Sequence, residues 1–166
     1  MQQMHIYLGL GSNMGHREGS LRAAVAALKD VGVVAVKSAS LYSTEPRDLE
    51  DQPWFLNTVV EVRTELQPAD LLEQNLAIER AAGRVRDGSK GPRPVDIDIL
   101  LYKGAIISTA RLTVPHPRYR DRRFVLQPLA EIAPDLNDPV CGLSMRRLLD
   151  LCADSGRVEL YGPPLL

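Results

Sequence analysis

Asp96 and Asp98 stand two residues apart in Gly91-Pro92-Arg93-Pro94-Val95-Asp96-Ile97-Asp98-Ile99-Leu100-Leu101-Tyr102, a stretch otherwise apolar enough for a buried strand. Side chains on a strand alternate faces. Val95, Ile97, Ile99 and Leu101 then form one apolar face, and Asp96 and Asp98 share the other with Leu100. The two aspartate Cα atoms would lie roughly 6.5–7 Å apart. Two carboxylates at that range on a half-covered surface repel each other and lose hydration. Three arrangements could offset this. One is a divalent cation with hard oxygen ligands, for which magnesium is suited. Another is a structural site with arginine partners. The third is an exposed face with no special role.

The neighbouring cations bear on the choice. Arg84, Arg86, Lys90 and Arg93 lie just upstream, and His116, Arg118, Arg120, Arg122 and Arg123 just downstream. Any one of these arginines reads as a solvated or ion-paired side chain. As a cluster bracketing two acids they favour magnesium on the carboxylates and phosphate oxygens on the guanidinium groups. His116 sits between Pro115 and Pro117, which hold it in an extended segment, either as a structural residue or as a ligand contact.

Other motifs do not complete. Gly9 and Gly11 suggest a dinucleotide fingerprint, but its third glycine would fall at Met14, and no Gly-Lys-Ser/Thr of a phosphate loop is present. The run Gly9-Leu10-Gly11-Ser12-Asn13 instead reads as a strand-end turn where Gly11 lets a ligand or another backbone approach closely. Ser12 and Ser43 have no histidine at a recognisable nucleophile spacing, and His5 reads as structural or exposed. Cys141 and Cys152 match no zinc or redox spacing and are expected as reduced, partly buried thiols.

The elements that must position these groups follow from periodicity. Ile6 to Leu8 opens a short strand. Leu21, Ala24, Val25 and Leu28 recur at helical spacing within a helix over about 18–29. Residues 33–42 are rich in β-branched side chains and read as a strand with a bend. The polar stretch 44–53 reads as a loop and 55–64 as a strand. Pro68 suits the first turn of a second helix, which Gly83 stops. Residues 83–94 form a glycine- and arginine-bearing loop, 95–102 a strand and 105–107 a short strand. A short helix over 124–133, a last helix capped by Ser144, and an edge strand at 158–160 complete the chain. The order β-α-β-β-α-β with a helical tail predicts an α+β ferredoxin-like sandwich, its antiparallel or mixed sheet covered by helices on one face.

The chain has 166 residues, 45% of them hydrophobic and 25% charged, which fits one globular domain over 1–166 and leaves no room for a second enzyme. A net charge of −1 announces no nucleic-acid or membrane partner. Met1 to Ile6 lacks the basic and apolar regions of a signal peptide, and no run approaches a membrane span, so a cytoplasmic protein is expected.

Several short motifs then fall in one order: the glycine run at 9–13, Tyr42-x-Thr44, Phe55-Leu56-Asn57, Gly83-Arg84-Val85-Arg86, the Gly91–Leu100 stretch, Leu112-Thr113-Val114-Pro115-His116, Arg122-Arg123-Phe124-Val125-Leu126, and Pro128-Leu129-Ala130-Glu131-Ile132-Ala133-Pro134. In that register the chain resembles the 6-hydroxymethyl-7,8-dihydropterin pyrophosphokinases of folate biosynthesis over nearly its whole length. The resemblance implies a ferredoxin-like fold and transfer of the terminal diphosphate of ATP to the pterin hydroxymethyl group, yielding AMP. It implies two magnesium ions on Asp96 and Asp98, with Arg84 and Arg93 as the catalytic arginines that steady the phosphates. It assigns ATP contacts to Arg84, Ile99, Leu112, Thr113, His116 and Arg122. It assigns the pterin pocket to Thr44, Phe55, Asn57 and Phe124, bordered by Asp96. The implied partners are two small molecules, ATP and the pterin; no nucleic acid or membrane partner is expected, and a monomer is expected, although no sequence feature encodes the oligomeric state.

Departures from the pattern fall on two loops expected to order only with both substrates. Lys90 stands where some members carry a tryptophan, Asp87 and Gly88 where some carry basic residues, and Glu45 and Arg47 where some have apolar ones. Trp54 should point away from the side of Phe55 and serve packing. Three other readings compete. An RNA-binding sandwich would need an aromatic, basic sheet face, whereas only 5% of residues are aromatic. A catalytically silent nucleotide sensor and a magnesium-dependent kinase for a related heterocycle are separated from the leading reading by turnover and its product.

Overall fold

The computed structural model describes residues 5–46, 51–83 and 94–166. Eight strands and four α-helices are present among them: β1 Ile6–Ser12, α1 Arg17–Asp30, β2 Val34–Ser38, β3 Leu41–Thr44, β4 Phe55–Arg63, α2 Pro68–Ala81, β5 Asp96–Tyr102, β6 Ile107–Ser108, β7 Thr113–Val114, α3 Arg123–Ile132, α4 Met145–Leu151 and β8 Val158–Gly162. The main sheet runs β5-β1-β4-β3-β8, with β2 also on β4, and every pairing is antiparallel. This is the expected ferredoxin-like α+β order with an added edge strand. β6 and β7 form a separate two-stranded ribbon.

Local chemistry explains the element ends. The side chain of His16 accepts from the Gly19 N–H at 3.0 Å and caps α1. Ser144 Oγ accepts from the Arg147 N–H at 3.1 Å and caps α4, as the sequence predicts. Gly83 ends α2 at φ +101°, a left-handed conformation that costs glycine little.

Two cores lie on opposite sides of the sheet. Leu8, Leu21, Leu56, Leu71, Ile97 and Ile99 fill the layer under α1 and α2. Tyr7, Val59, Leu126, Leu129 and Met145 fill the layer under α3 and α4. A leucine as fully buried as Leu8 or Leu126 contributes about 2 kcal/mol through the area it removes from water. Helices covering one face only are thus a correction: α3, with five buried side chains in ten residues, needs a second apolar sheet face to pack on.

The alternation along β5 also needs correcting at one residue. Tyr7 pairs with Leu101 and Leu8 with Ile99, so Leu100 is an extra residue in a β-bulge. The bulge shifts the parity by one. Ile97 and Ile99 stay in the α1–α2 core, but Leu101 joins Leu100 in the α3–α4 core and Tyr102 takes the opposite side. Cys141 and Cys152 are free thiols, and Cys141 is exposed rather than partly buried. No helix among the described residues is long and apolar enough to cross a membrane.

Candidate active site

The central strand β1 supplies a floor without side chains. Gly9 pairs with Asp98 on one side and Val59 on the other, while Gly11 pairs with Asp96 and Asn57. Residues directly opposite on neighbouring strands share a sheet face. The two glycines therefore open a trough between the carboxylates of β5 and the amide of β4. A cavity of about 270 Å³ occupies it. β3 and its continuation contribute Thr44 and Glu45 to the wall, and β4 contributes Phe55. The segment leading into α3 and the first turn of α3 close the far side with His116 and Arg122, and with Phe124 and Val125.

Of the residues assigned to the site from the sequence, Thr44, Phe55, Asn57, Asp96, Asp98, His116, Arg122 and Phe124 line this one cavity. Ile99 instead packs in the α1–α2 core. Leu112 lines a separate apolar hollow with Pro68, Leu72 and Ile107, and Thr113 is exposed on β7. Arg84 and Arg93, with Arg47, Arg86, Asp87, Gly88 and Lys90, lie outside the described residues, as do the central parts of both loops expected to order with substrates.

The polar groups are held by definite partners. The Asn57 Nδ2–H donates to Thr44 Oγ1 at 2.7 Å, which fixes the amide across the β3–β4 pair. The Asn57 Oδ1 then faces Gly11, where an added Cβ would come within 2.5 Å of it. The Asn13 Nδ2–H donates to Gln52 Oε1 at 2.8 Å and to the Pro53 carbonyl at 3.2 Å, tying the returning end of the loop to the end of β1. The Arg122 guanidinium lies 5.5 Å from the centre of the Phe124 ring, so the cation and the apolar face support one another.

His116 is pinned by its backbone, whose N–H donates to the Leu100 carbonyl at 2.9 Å. Its Nδ1 accepts from the Arg118 N–H at 3.1 Å. Burial, and then the positive charges of Arg122 and Arg118, lower its pKa to about 4. The ring is therefore neutral near pH 7. With Nδ1 accepting, its proton sits on Nε2, which makes that nitrogen a donor.

Sequence reasoning missed Glu79. This carboxylate is 1% exposed, and its Oε2 accepts from the Ile97 N–H at 2.7 Å. Ile97 lies between the two aspartates, so α2 holds the outer edge of β5 at the point that sets their spacing. A signal existed: Leu71, Asn75 and Glu79 recur every four residues on the buried stripe of α2, where the helical period calls for apolar side chains. Glu45 and Gln52 also reach the cavity without having been assigned a contact there.

Asp96 is half-buried and Asp98 exposed. No cluster of three or more His, Cys, Asp or Glu side chains suited to a metal occurs among the described residues. That donor set fits magnesium, which commonly takes one or two carboxylates and completes its octahedron with phosphate oxygens and water.

Comparison with known proteins identifies the family of the chain. Residues 7–134 match the family model of 7,8-dihydro-6-hydroxymethylpterin-pyrophosphokinase. A 2-amino-4-hydroxy-6-hydroxymethyldihydropteridine pyrophosphokinase of Methylorubrum extorquens is 49% identical over 156 residues, covering 92% of this chain and 98% of that one. The Bacillus subtilis protein of the same name is 51% identical over 127 residues, 76% of each chain. A solved chain of Plasmodium falciparum HPPK-DHPS with pteroate superposes with a TM-score of 0.73 over 89% of this chain, at 15% identity. This chain spans 42% of that longer one, and the likeness there concerns the fold alone. The chain belongs to the 7,8-dihydro-6-hydroxymethylpterin-pyrophosphokinase family.

Proposed function

We propose that the protein transfers the pyrophosphoryl group of ATP to the hydroxymethyl oxygen of 6-hydroxymethyl-7,8-dihydropterin, with magnesium, releasing AMP and the pterin pyrophosphate. It acts in the cytoplasm, as a monomer, on these two small molecules. One observation carries the reading beyond family membership: the Gly9–Gly11 floor sets a carboxylate pair and a heterocycle-sized polar slot side by side on one sheet face.

Each end of the cavity has its own chemistry. Phe55 and Phe124 offer flat faces for a ring, while Asn57 and Thr44 offer hydrogen-bonding groups for its edge. Asp96 and Asp98 would hold the magnesium ions, which when bound neutralise phosphate charge and polarise the attacking hydroxyl. Nε2–H of the neutral His116 and the Arg122 guanidinium can donate to phosphate oxygens. Neutral His116 adds a hydrogen bond without adding charge. Arg84 and Arg93 would steady the phosphates during transfer. Holding both substrates in line is the main contribution of the chain itself, because such transfer needs positioning more than covalent help. Ile99, Leu112 and Thr113 are proposed for the nucleotide side.

The test is incubation with ATP, magnesium and the hydroxymethyl dihydropterin, followed by nucleotide analysis. AMP should accumulate in step with pterin pyrophosphate; ADP, or no product, overturns the reading.

Gly11→Ala probes the pterin slot directly. The new Cβ would force Asn57 off Thr44, because the amide oxygen has no room to stay. The expected result is a KM for the pterin raised about tenfold or more, as for loss of a buried hydrogen bond, with the KM for ATP little changed. Steady-state kinetics with each substrate varied in turn checks it.

A further inference from the structure

The family match ends at residue 134, yet the wall of the cavity is tied to a strand that begins at residue 158. Two residues flank the first loop of the pocket. Glu45 leaves β3 and lines the cavity, and Trp54 precedes Phe55 at the entry to β4. Both are fastened to the segment that opens β8. The Glu45 N–H donates to the Arg157 carbonyl at 3.1 Å, and the Arg157 N–H donates to Glu45 Oε1 at 2.6 Å. The Arg157 guanidinium lies 5.1 Å from the centre of the Trp54 ring. Its NH2 group also donates to Glu159 Oε1 at 2.5 Å.

A second arginine reaches the same tryptophan from α1. Arg17 NH1–H donates to the Trp54 carbonyl at 3.0 Å, and its guanidinium lies 5.6 Å from the ring of Tyr161 on β8. Trp54 is thus gripped at its ring and at its backbone, and both grips lead to β8. Neither Trp54 nor Arg157 lines the cavity; their immediate neighbours Phe55 and Glu45 do.

We propose that Arg157 is a positioning residue for the pterin side of the site. Through Trp54 and Glu45 it sets the spacing of the wall that Phe55 and Glu45 form, so the strand beyond the family match tunes pterin affinity. This rests on the functional reading above. It also accounts for an acid at position 45. The Glu45 carboxylate closes a two-hydrogen-bond ring with the backbone of Arg157, which an apolar side chain could not do.

Trp54 is the only tryptophan in the chain, so its fluorescence reports this contact without a label. The experiment titrates the hydroxymethyl dihydropterin, with a non-hydrolysable ATP analogue and magnesium, and in a parallel series the analogue itself, into wild type, Arg157→Ala, Arg157→Lys, Trp54→Phe and the double variant Trp54→Phe with Arg157→Ala, and steady-state kinetics gives kcat. Binding is followed by tryptophan emission where it is present and by calorimetry in all five. Arg157→Ala should shift the emission of the free protein and weaken pterin binding about two- to fivefold, the scale of a lost exposed cation–π contact. ATP-analogue affinity and kcat should stay within about twofold of wild type. Arg157→Lys, which keeps a cation over the ring, should recover part of the loss. The double variant Trp54→Phe with Arg157→Ala should lose less affinity than the sum of the two single losses, because both act through one contact.

Unchanged pterin affinity in Arg157→Ala overturns the proposal and leaves the functional reading intact. Equal losses for pterin and ATP analogue, with no rescue by lysine, also overturn it, since that pattern belongs to general destabilisation. A wild-type protein that binds no pterin overturns both.

Discussion

Asp96→Asn and Asp98→Asn should each lower kcat by at least about a hundredfold, the scale on which removal of one charge-stabilising group acts. An amide keeps the size and one oxygen of each carboxylate but removes the charge that a hard cation needs. The two positions should not be equivalent. Asp96 faces Gly11 and the Asn57 slot, whereas Asp98 faces Gly9 and is the more exposed of the two. Asp96→Asn should therefore disturb the pterin KM as well as kcat, and Asp98→Asn mainly the nucleotide and metal requirement. Stability should move little, within about 1 kcal/mol, because neither side chain belongs to a core. That separation is the diagnostic: a large kinetic loss on a fold that melts normally. Mn2+ titration followed by its EPR signal, with the ATP analogue present, gives a readout independent of turnover. A double variant that retains more than a tenth of wild-type kcat would remove the carboxylates from the mechanism.

Much of the fold was legible because its signals are local. Pro68 and Gly83 bracket α2, Ser144 caps α4, and the apolar period of α1 is unbroken. The Leu100 bulge was not legible. Nothing in an unbroken run of aliphatic residues marks where one extra residue enters a strand, and only the pairing with Tyr7 and Leu8 reveals it. The second helical layer was missed for a related reason. Val59 and Leu101 look like any other strand residues until α3 supplies the surface they face.

The candidate site was legible where a polar residue broke an apolar pattern. Asp96 and Asp98 are of this kind, and Glu79 is as well, although its helix hid it. Glu79 breaks a helical stripe four residues at a time, which is harder to see than an alternation of two. Ties formed between distant segments left no trace: Glu45 and Arg157 are 112 positions apart, and no period relates them.

Asp138→Ala should cost the fold about 3–5 kcal/mol, the range for leaving a buried charge without its partner. Against the 5–15 kcal/mol typical of a whole domain, that is a large fraction. Asp138 is 1% exposed and saturated with donors. Its Oδ2 accepts from the hydroxyl of Tyr119 and from Arg120 Nε–H at 2.8 Å, with Arg120 NH2 at 2.7 Å. Its Oδ1 accepts from the Val140 and Cys141 N–H groups at 2.7 and 2.9 Å. Truncation strands all of these donors at once, including a phenol on a ring that is itself fully buried. Burial alone would raise the acid's pKa, but the hydrogen bonds from Arg120, Tyr119 and the two backbone groups outweigh it and lower the pKa to about 2. An unfolded aspartate titrates near 3.8. The stabilisation is therefore complete above about pH 4 and is lost as pH falls through about 2, where the native carboxylate takes up its proton. Asp138→Asn should flatten that part of the stability profile, since no carboxylate remains to protonate. Tyr119→Phe removes one donor and leaves the charge paired, so it should cost only about 1 kcal/mol. Urea unfolding at several pH values measures all three variants, with an unchanged m-value required for the comparison. The consequence reaches the active site through the chain itself. Tyr119 and Arg120 belong to the 3-10 turn at Tyr119–Asp121, and the next residues are Arg122 and, at the start of α3, Phe124. A variant that survives folding should accordingly bind its substrates more weakly, although Asp138 does not line the cavity. A cost below about 1 kcal/mol for Asp138→Ala would show that the buried carboxylate is not what holds this turn in place.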